Sequence, residues 1–485
     1  FDYGSTVPWV RRLDGTLSLV AGPDALELVS AVPVHGDDLS TKAAFVVGPG
    51  DRVPFVLTWH PSTERPPRHA DPDHAVDDTA SWWRAWSDRC SGGGRWAEQV
   101  RTSLITLKAL TYAPTGGIVA AATTSLPEVI GGVRNWDYRY CWLRDATFTL
   151  QALLDAGYEG EAVAWRDWLL RAMAGDPSQL QIMYGVAGER RLPELELGWL
   201  PGYEGSGPVR IGNGAANQRQ LDVYGEVMDA LHQARTAGIP PDAESWEVQR
   251  VMLDWLESGW REPDSGLWEV RGAPRHFVHS KVMCWVAFDR AVRAVEGFGL
   301  EGPADRWRVL REDVHRQVCE RGWDAERRTF TQSYGSKELD ASLLMIPMVG
   351  FLHPRDERVA GTIDAVRREL TVDGFVERYP TGHGVSVDGL PGREGAFLLC
   401  TFWLADALAL SGQVGEATEL FERLLGLTND VGLLAEEYDP VERRMLGNFP
   451  QAFSHLGLVN TALNLTDAEA EAEVVGPAGR RGVRT

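Results

Sequence analysis

Residues Gly131 to Asp145, GGVRNWDYRYCWLRD, decide how the rest of the chain is read. Aromatic rings alternate with charges: Trp136-Asp137, Tyr138-Arg139, then Tyr140 and Trp142 ahead of Arg144-Asp145. Apolar residues then fall at Leu143, Ala146, Leu150, Leu153 and Leu154, a spacing of three and four that predicts a helix starting here. An Arg-Asp pair at a helix mouth, ringed by aromatic faces, suits a sugar. Carboxylate and guanidinium fork its hydroxyls, and a ring covers its apolar C–H face. A plainer reading is an ion pair closing a helix start above core aromatics, and the short stretch by itself balances the two.

Outward from this stretch, beyond Arg95, strand signals largely vanish. Apolar periodicity predicts helices over 96–112, 142–157, 160–174, 218–237, 243–259, 280–294, 301–318, 338–349, 355–370, 396–411, 413–427 and 450–466. Gly157, Gly175 and Gly412 stand where left-handed C-terminal caps are expected. The helices make six pairs, with long loops on alternate connections: 113–141, 175–217, 260–279, 319–337, 371–395 and 428–449. In a ring of inner and outer helices, such loops converge on a pocket at one end, and loops this long usually carry function. The expected fold is mainly α, an (α/α)6 toroid over 96–466.

The N-terminal part reads differently. Thr16–Val20, Ala25–Ala31, Ala43–Val47 and Phe55–Trp59 are β-rich runs cut by Asp14-Gly15, Gly22-Pro23 and Pro49-Gly50. They predict a partial β-sandwich domain over 1–60; four strands make an incomplete sandwich and the chain opens on Phe1 with no leader, so a chain truncated at its N-terminal side is expected ahead of a processed one. Residues 61–95 read as a linker carrying a short helix, Ser81–Asp88, and 467–485 as a flexible tail.

Hydrophobic residues at 44% and charged residues at 24% are the balance of a soluble globular protein. No run approaches the ~18 apolar residues of a membrane span. The net charge of −21 is spread along the chain. It would repel phosphates, which argues against a nucleic-acid surface and leaves a neutral substrate open. Cys90, Cys141, Cys284, Cys319 and Cys400 lie far apart with no C-x-x-C, so free thiols and a cytoplasmic setting are expected.

Among the long loops, GLWEVRG sets Glu269 directly after Trp268. A carboxyl beside a large ring is partly desolvated, which raises its pKa and keeps it protonated as a general acid. LLAEEYDP holds Glu436 and Glu437 in succession, and only one can readily face a pocket, as a base. Two carboxyls from distant loops above an aromatic floor form the pair that glycoside hydrolysis needs. Taken singly, most loop glutamates are merely solvated. The His276/His279 pair lacks a metal-binding pattern, no phosphate-cradling glycine loop is present, and Gly205-Ser206-Gly207 has no strand-to-helix turn around it. No metal or organic cofactor is called for.

These segments, with QIMYGVAGERR, VRIGNGAANQRQLDVYGE, HFVHSKVMCWVAFDRA and LGNFPQAFSHLGLVN, form an ordered set from about Thr102 to Asn460. The set resembles glycoside hydrolase family 15, the glucoamylase family, in its bacterial trehalase and α-glucosidase branch. The resemblance implies a toroid behind a β-sandwich and release of β-glucose, with inversion, from the non-reducing end of a short α-glucoside: trehalose, isomaltose or a malto-oligosaccharide. It implies Glu269 as general acid and Glu436 as general base. Arg144 and Asp145 would grip the terminal glucose, Tyr138 would sit near the attacking water, and Trp142 and Trp268 would wall the pocket. Arg378 would reach toward the second sugar. Glu437 stands where many family members carry Gln, which leaves open which of the two glutamates is the base. A non-catalytic, carbohydrate-sensing relative on the same toroid is the alternative; survival of both acids opposes it. A phosphorylase would put a phosphate site in place of Glu436.

Overall fold

The computed structural model describes residues 1–13, 15–380, 389 and 394–475. The chain forms two compact units, Phe1–Asp88 and Arg89–Thr485.

In the first unit, β1 (Trp9–Leu13), β2 (Thr16–Ala21), β3 (Asp24–Ser30) and β6 (Phe55–Pro61) make one antiparallel sheet in the order β1-β2-β3-β6. A hairpin of β4 (His35–Asp37) and β5 (Ser40–Lys42) lies between β3 and β6 in sequence. The expected sandwich is therefore seen, among the described residues, as a single four-stranded sheet. β1 was not anticipated, and Ala43–Val47 is not a strand: its apolar run finds no partner to complete a ladder. The helix expected at Ser81–Asp88 starts earlier, as α1 (Pro72–Ser87). The Asp71 carboxylate accepts from the backbone N–H groups of Asp73 and His74, and Pro72 occupies the first turn where no N–H is needed.

The second unit is mainly helical. Its helices are α2 (Ala97–Ala109), α3 (Leu143–Asp155), α4 (Glu159–Met173), α5 (Asp222–Thr236), α6 (Ala243–Gly259) and α7 (Val278–Phe298). They continue as α8 (Ala304–Arg321), α9 (Met345–Met348), α10 (Glu357–Glu369), α11 (Leu398–Leu410), α12 (Val414–Leu425) and α13 (Ala452–Val475). Each of the twelve expected helical spans overlaps one of these, with α4, α7, α8 and α13 extending beyond the expected bounds. α9 is reduced to one turn after a 3-10 turn, Ala341–Leu344, and holds Pro347, which cannot donate to a helical ladder. α13 runs past the expected end at 466, because its Ala and Glu residues are good helix formers without needing an apolar face.

Two kinds of helix alternate. α7 and α11 are buried on nearly every side, whereas α12 buries only Ala417, Phe421 and Leu424, one stripe at spacings of four and three. The inner helices touch in a closed circuit, α3 to α5 to α7 to α9 to α11 to α13 and back to α3. On them lie α2 against α13, α4 against α3, α6 against α5, α8 against α7, and α10 and α12 against α11. The α5–α7 approach is close enough to require Gly225, where an added Cβ would stand 2.2 Å from the Met283 carbonyl oxygen. No described helix is long and apolar enough to cross a membrane. All five cysteines are free thiols, with Cys141, Cys284 and Cys400 buried.

Candidate active site

Five of the six long loops, with the start of α13, deliver side chains to one pocket of about 720 Å³. The loop 319–337 contributes no lining residue. All eight residues singled out in the sequence line this pocket: Glu269, Glu436, Arg144, Asp145, Trp142, Tyr138, Trp268 and Arg378.

The stretch that opens α3 is held from behind by a short ladder. Cys141–Trp142 pairs antiparallel with Met183–Tyr184, and the Leu143 N–H donates to the Ile182 carbonyl. Trp142 thus ends in extended backbone, and Arg144 and Asp145 fall in the first helical turn. Arg144 donates from Nε to Asp145 Oδ1 (3.1 Å) and from a terminal nitrogen to the Leu267 carbonyl (2.8 Å), with its guanidinium 4.6 Å from the Phe453 ring centre. Burial pushes the Asp145 carboxyl up to about 6 against the pull of Arg144. The indole of Trp268 turns instead to Asp340, donating to its carboxylate at 2.8 Å, and packs edge-on against Phe397.

Glu269 sits in a tight turn in which its own N–H donates to Gly266 and that of Val270 to Ser265. Its φ is +58°, a left-handed conformation unfavourable for a long side chain. The Gln218 amide holds this turn by donating to the Glu269 and Val270 carbonyls at 3.1 and 3.3 Å. The Trp142 indole donates to Glu269 Oε1 at 2.7 Å. Burial raises the Glu269 carboxyl above the usual range, opposed first by Arg144 and then by the indole.

Glu436 and Glu437 are told apart by a three-stranded sheet. Glu437–Asp439 pairs with Ala396–Phe397 on one side and Arg444–Leu446 on the other, and successive side chains in extended backbone point opposite ways. Glu436 lines the pocket, where Oε1 accepts from the Tyr138 hydroxyl at 2.7 Å. Glu437 turns away and accepts from the Gly395 N–H at 2.8 Å. Gly447, at φ +78°, makes room for the first: a Cβ there would stand 2.6 Å from Glu436 Oε2. Burial, reinforced by the Glu128 carboxylate, lifts Glu436 to about 8; Arg378 and the Tyr138 hydroxyl pull it down.

Arg378 lies at the pocket wall with its guanidinium bidentate on Glu394 (2.8 and 2.7 Å) and 5.1 Å from the Phe397 ring centre. It is thus anchored to an acid cluster of Glu128, Glu394 and Glu437, whose carboxylate oxygens lie within 4.8 Å of one another. Among the described residues this is the one group with metal-like clustering, and Arg378 and Arg134 already supply it with cations. Sequence reading missed Arg134, Trp136, Gln451 and Phe453 at the pocket, although all four stand in segments already singled out. Nothing local marks Glu128 or Glu394; Arg378 lies 250 positions from the first and Arg134 lies 260 from the second.

The pocket therefore presents two carboxyls, each gripped by a donor from the 131–145 stretch, beside an Arg-Asp fork and aromatic walls. That set can transfer protons to and from a polyhydroxylated ligand.

The family described as Glycosyl hydrolases family 15 matches residues 94–463. A trehalase of Mycobacterium tuberculosis is 43% identical over 466 residues, covering 94% of this chain and 67% of that protein. A trehalase of Mycolicibacterium smegmatis is 44% identical over 458 residues, covering 93% and 68%. The crystal structure of a bacterial glucoamylase complexed with acarbose superposes with a TM-score of 0.72 at 14% identity, over 95% of this chain and 74% of the other. At that identity the likeness concerns the fold.

Proposed function

The chain belongs to glycosyl hydrolases family 15 and is a glycoside hydrolase; from that premise we propose that it cleaves a short α-glucoside with inversion, and that trehalose is its preferred substrate. The closed circuit of inner helices is read as an (α/α)6 toroid whose loops frame the substrate. Glu269 donates its proton to the departing glycosidic oxygen. Glu436 takes a proton from a water that attacks the anomeric carbon from the opposite face. The C–O bond breaks as the new one forms, one water is consumed, and β-glucose leaves with the second sugar. Arg144 and Asp145 fork the hydroxyls of the terminal glucose, Trp142 and Trp268 wall it, and Arg378 borders the second sugar. The cytoplasm suits an enzyme with five free thiols.

One observation carries this reading: Tyr138 and Trp142, four residues apart, each donate at 2.7 Å to one of two loop carboxyls, Glu436 and Glu269, that are 167 positions apart. Preference for trehalose rests on the names of the relatives. The test is glucose release from trehalose, isomaltose, maltose and maltotriose by the protein and by Glu269→Gln and Glu436→Gln, with the product anomer followed by proton NMR. Release of β-glucose from trehalose, lost in both variants, is expected. A folded protein that binds these sugars and hydrolyses none would point to the carbohydrate-sensing alternative.

A further inference from the structure

Behind the pocket wall, Glu128, Glu394 and Glu437 bring three buried carboxyls together from three distant segments. Among the described residues, two guanidiniums face them. Arg378 takes Glu394 in a fork, stands 3.4 Å from Glu128 Oε2 and 3.7 Å from Glu437 Oε1. Arg134 stands 3.2 Å from Glu394 Oε2 and 3.9 Å from Glu128 Oε2. Among the described residues, two cations thus meet three carboxyls, and a fourth, Glu436, is the residue next to Glu437. An uncompensated buried charge is far more costly than a bound proton, so a group in this position neutralises.

The contacts say which one. Glu394 is held by both guanidiniums and Glu128 lies near both. Among the described residues, Glu437 has of the two guanidiniums only the longer approach of Arg378; its Oε2 accepts from the Gly395 N–H, and its Oε1 accepts no hydrogen bond. Across the flanking strands it meets Phe397 and Leu446, which carry no charge, and the Cys400 thiol on α11 is itself held protonated by burial.

We infer that Glu437 carries a proton in the working enzyme, as a positioning residue that keeps the wall behind Glu436 free of a further negative charge. Arg134 and Arg378 then balance Glu128 and Glu394, and Glu436 is left as the carboxyl that ionises toward the pocket. Burial, with Glu128 and Glu394 beside it, drives the Glu437 carboxyl well above the usual range, against Arg378. The role rests on the reading of Glu436 as the base; the protonation itself does not.

Two measurements separate these. Infrared difference spectra at neutral pH between the protein and Glu437→Gln should show loss of a protonated-carboxyl C=O stretch. Loss of carboxylate bands instead overturns the inference whatever the enzyme hydrolyses. In the pH profile of kcat/KM on trehalose, Glu437→Gln, which fixes the neutral state, should leave the acid side in place. Glu128→Gln, which removes a true anion, should move it to lower pH by about one unit, tenfold in rate on that side. An equal downward shift in Glu437→Gln would mean that its charge had been present, and would overturn the role.

Discussion

Removing the two donors of the 131–145 stretch one at a time should displace opposite sides of the pH profile. Tyr138→Phe deletes an O–H that lies 2.7 Å from Glu436 Oε1, and Trp142→Phe deletes an N–H that lies 2.7 Å from Glu269 Oε1. Each donor favours the ionised form of its carboxyl, and a hydrogen bond to a charged group contributes about 1.5–3 kcal/mol. At 1.36 kcal/mol per unit, its loss raises the carboxyl's pKa by about 1–2 units. The base must be ionised, so with Tyr138→Phe the acid side of the kcat/KM profile falls about 10–100-fold while the alkaline side keeps its place. The acid must be protonated, so with Trp142→Phe the alkaline side rises and the acid side stays. These signs hold whichever carboxyl has the higher pKa, since Glu436 must lose and Glu269 must keep its proton in either order. The assay is glucose release from trehalose at low substrate across the pH range. A profile in which Trp142→Phe depresses the acid side, or Tyr138→Phe lifts the alkaline side, would refute the assignment of roles.

Three further outcomes are expected. Asp406, on α11, accepts from Asn464 at 3.0 Å and is raised by burial to about 7 from 3.8. Its contribution to stability is therefore full below about pH 4 and is lost as pH rises through 7, on the order of 4 kcal/mol in all; denaturant titrations of Asp406→Asn should show a correspondingly flatter dependence between those limits. Gly225→Ala drives a methyl to within 2.2 Å of the Met283 carbonyl in a tightly packed helix pair, and should cost about 1–3 kcal/mol or more by thermal or denaturant unfolding. Gly447→Ala places its methyl on Glu436 and adds φ strain, so kcat/KM should fall at least about tenfold; unchanged kinetics would mean that Glu436 has another seat.

Much of the helical unit was legible because its signals are local. Spacings of three and four, with a left-handed Gly157 or Gly412 just past α3 or α11, define helices from neighbours alone. Placement of the long loops on alternate connections is also a local pattern. The choice between Glu436 and Glu437 was not legible, because which side of a strand faces a pocket depends on partners at 396–397 and 444–446. Glu128, Glu394 and Arg134 were invisible for the same reason: their chemistry exists only through one another. The start of α1 was a different failure, since Asp71-Pro72 is a local cap signal that a polar, proline-rich surrounding obscured. In the first unit, strand propensity found β2, β3 and β6 but could not say what, if anything, lies on their faces.

The circuit of inner helices closes last in sequence. α13 packs back on α2 and α3, and Gln451 and Phe453 at its threshold stand in the same pocket as Trp142 and Arg144. During synthesis, a chain that has emerged as far as Glu436 has both carboxyls but no finished wall around them. Hydrolysis should therefore report on completed assembly: a nascent or nicked chain lacking that final helix lacks part of the pocket wall and is expected to be silent.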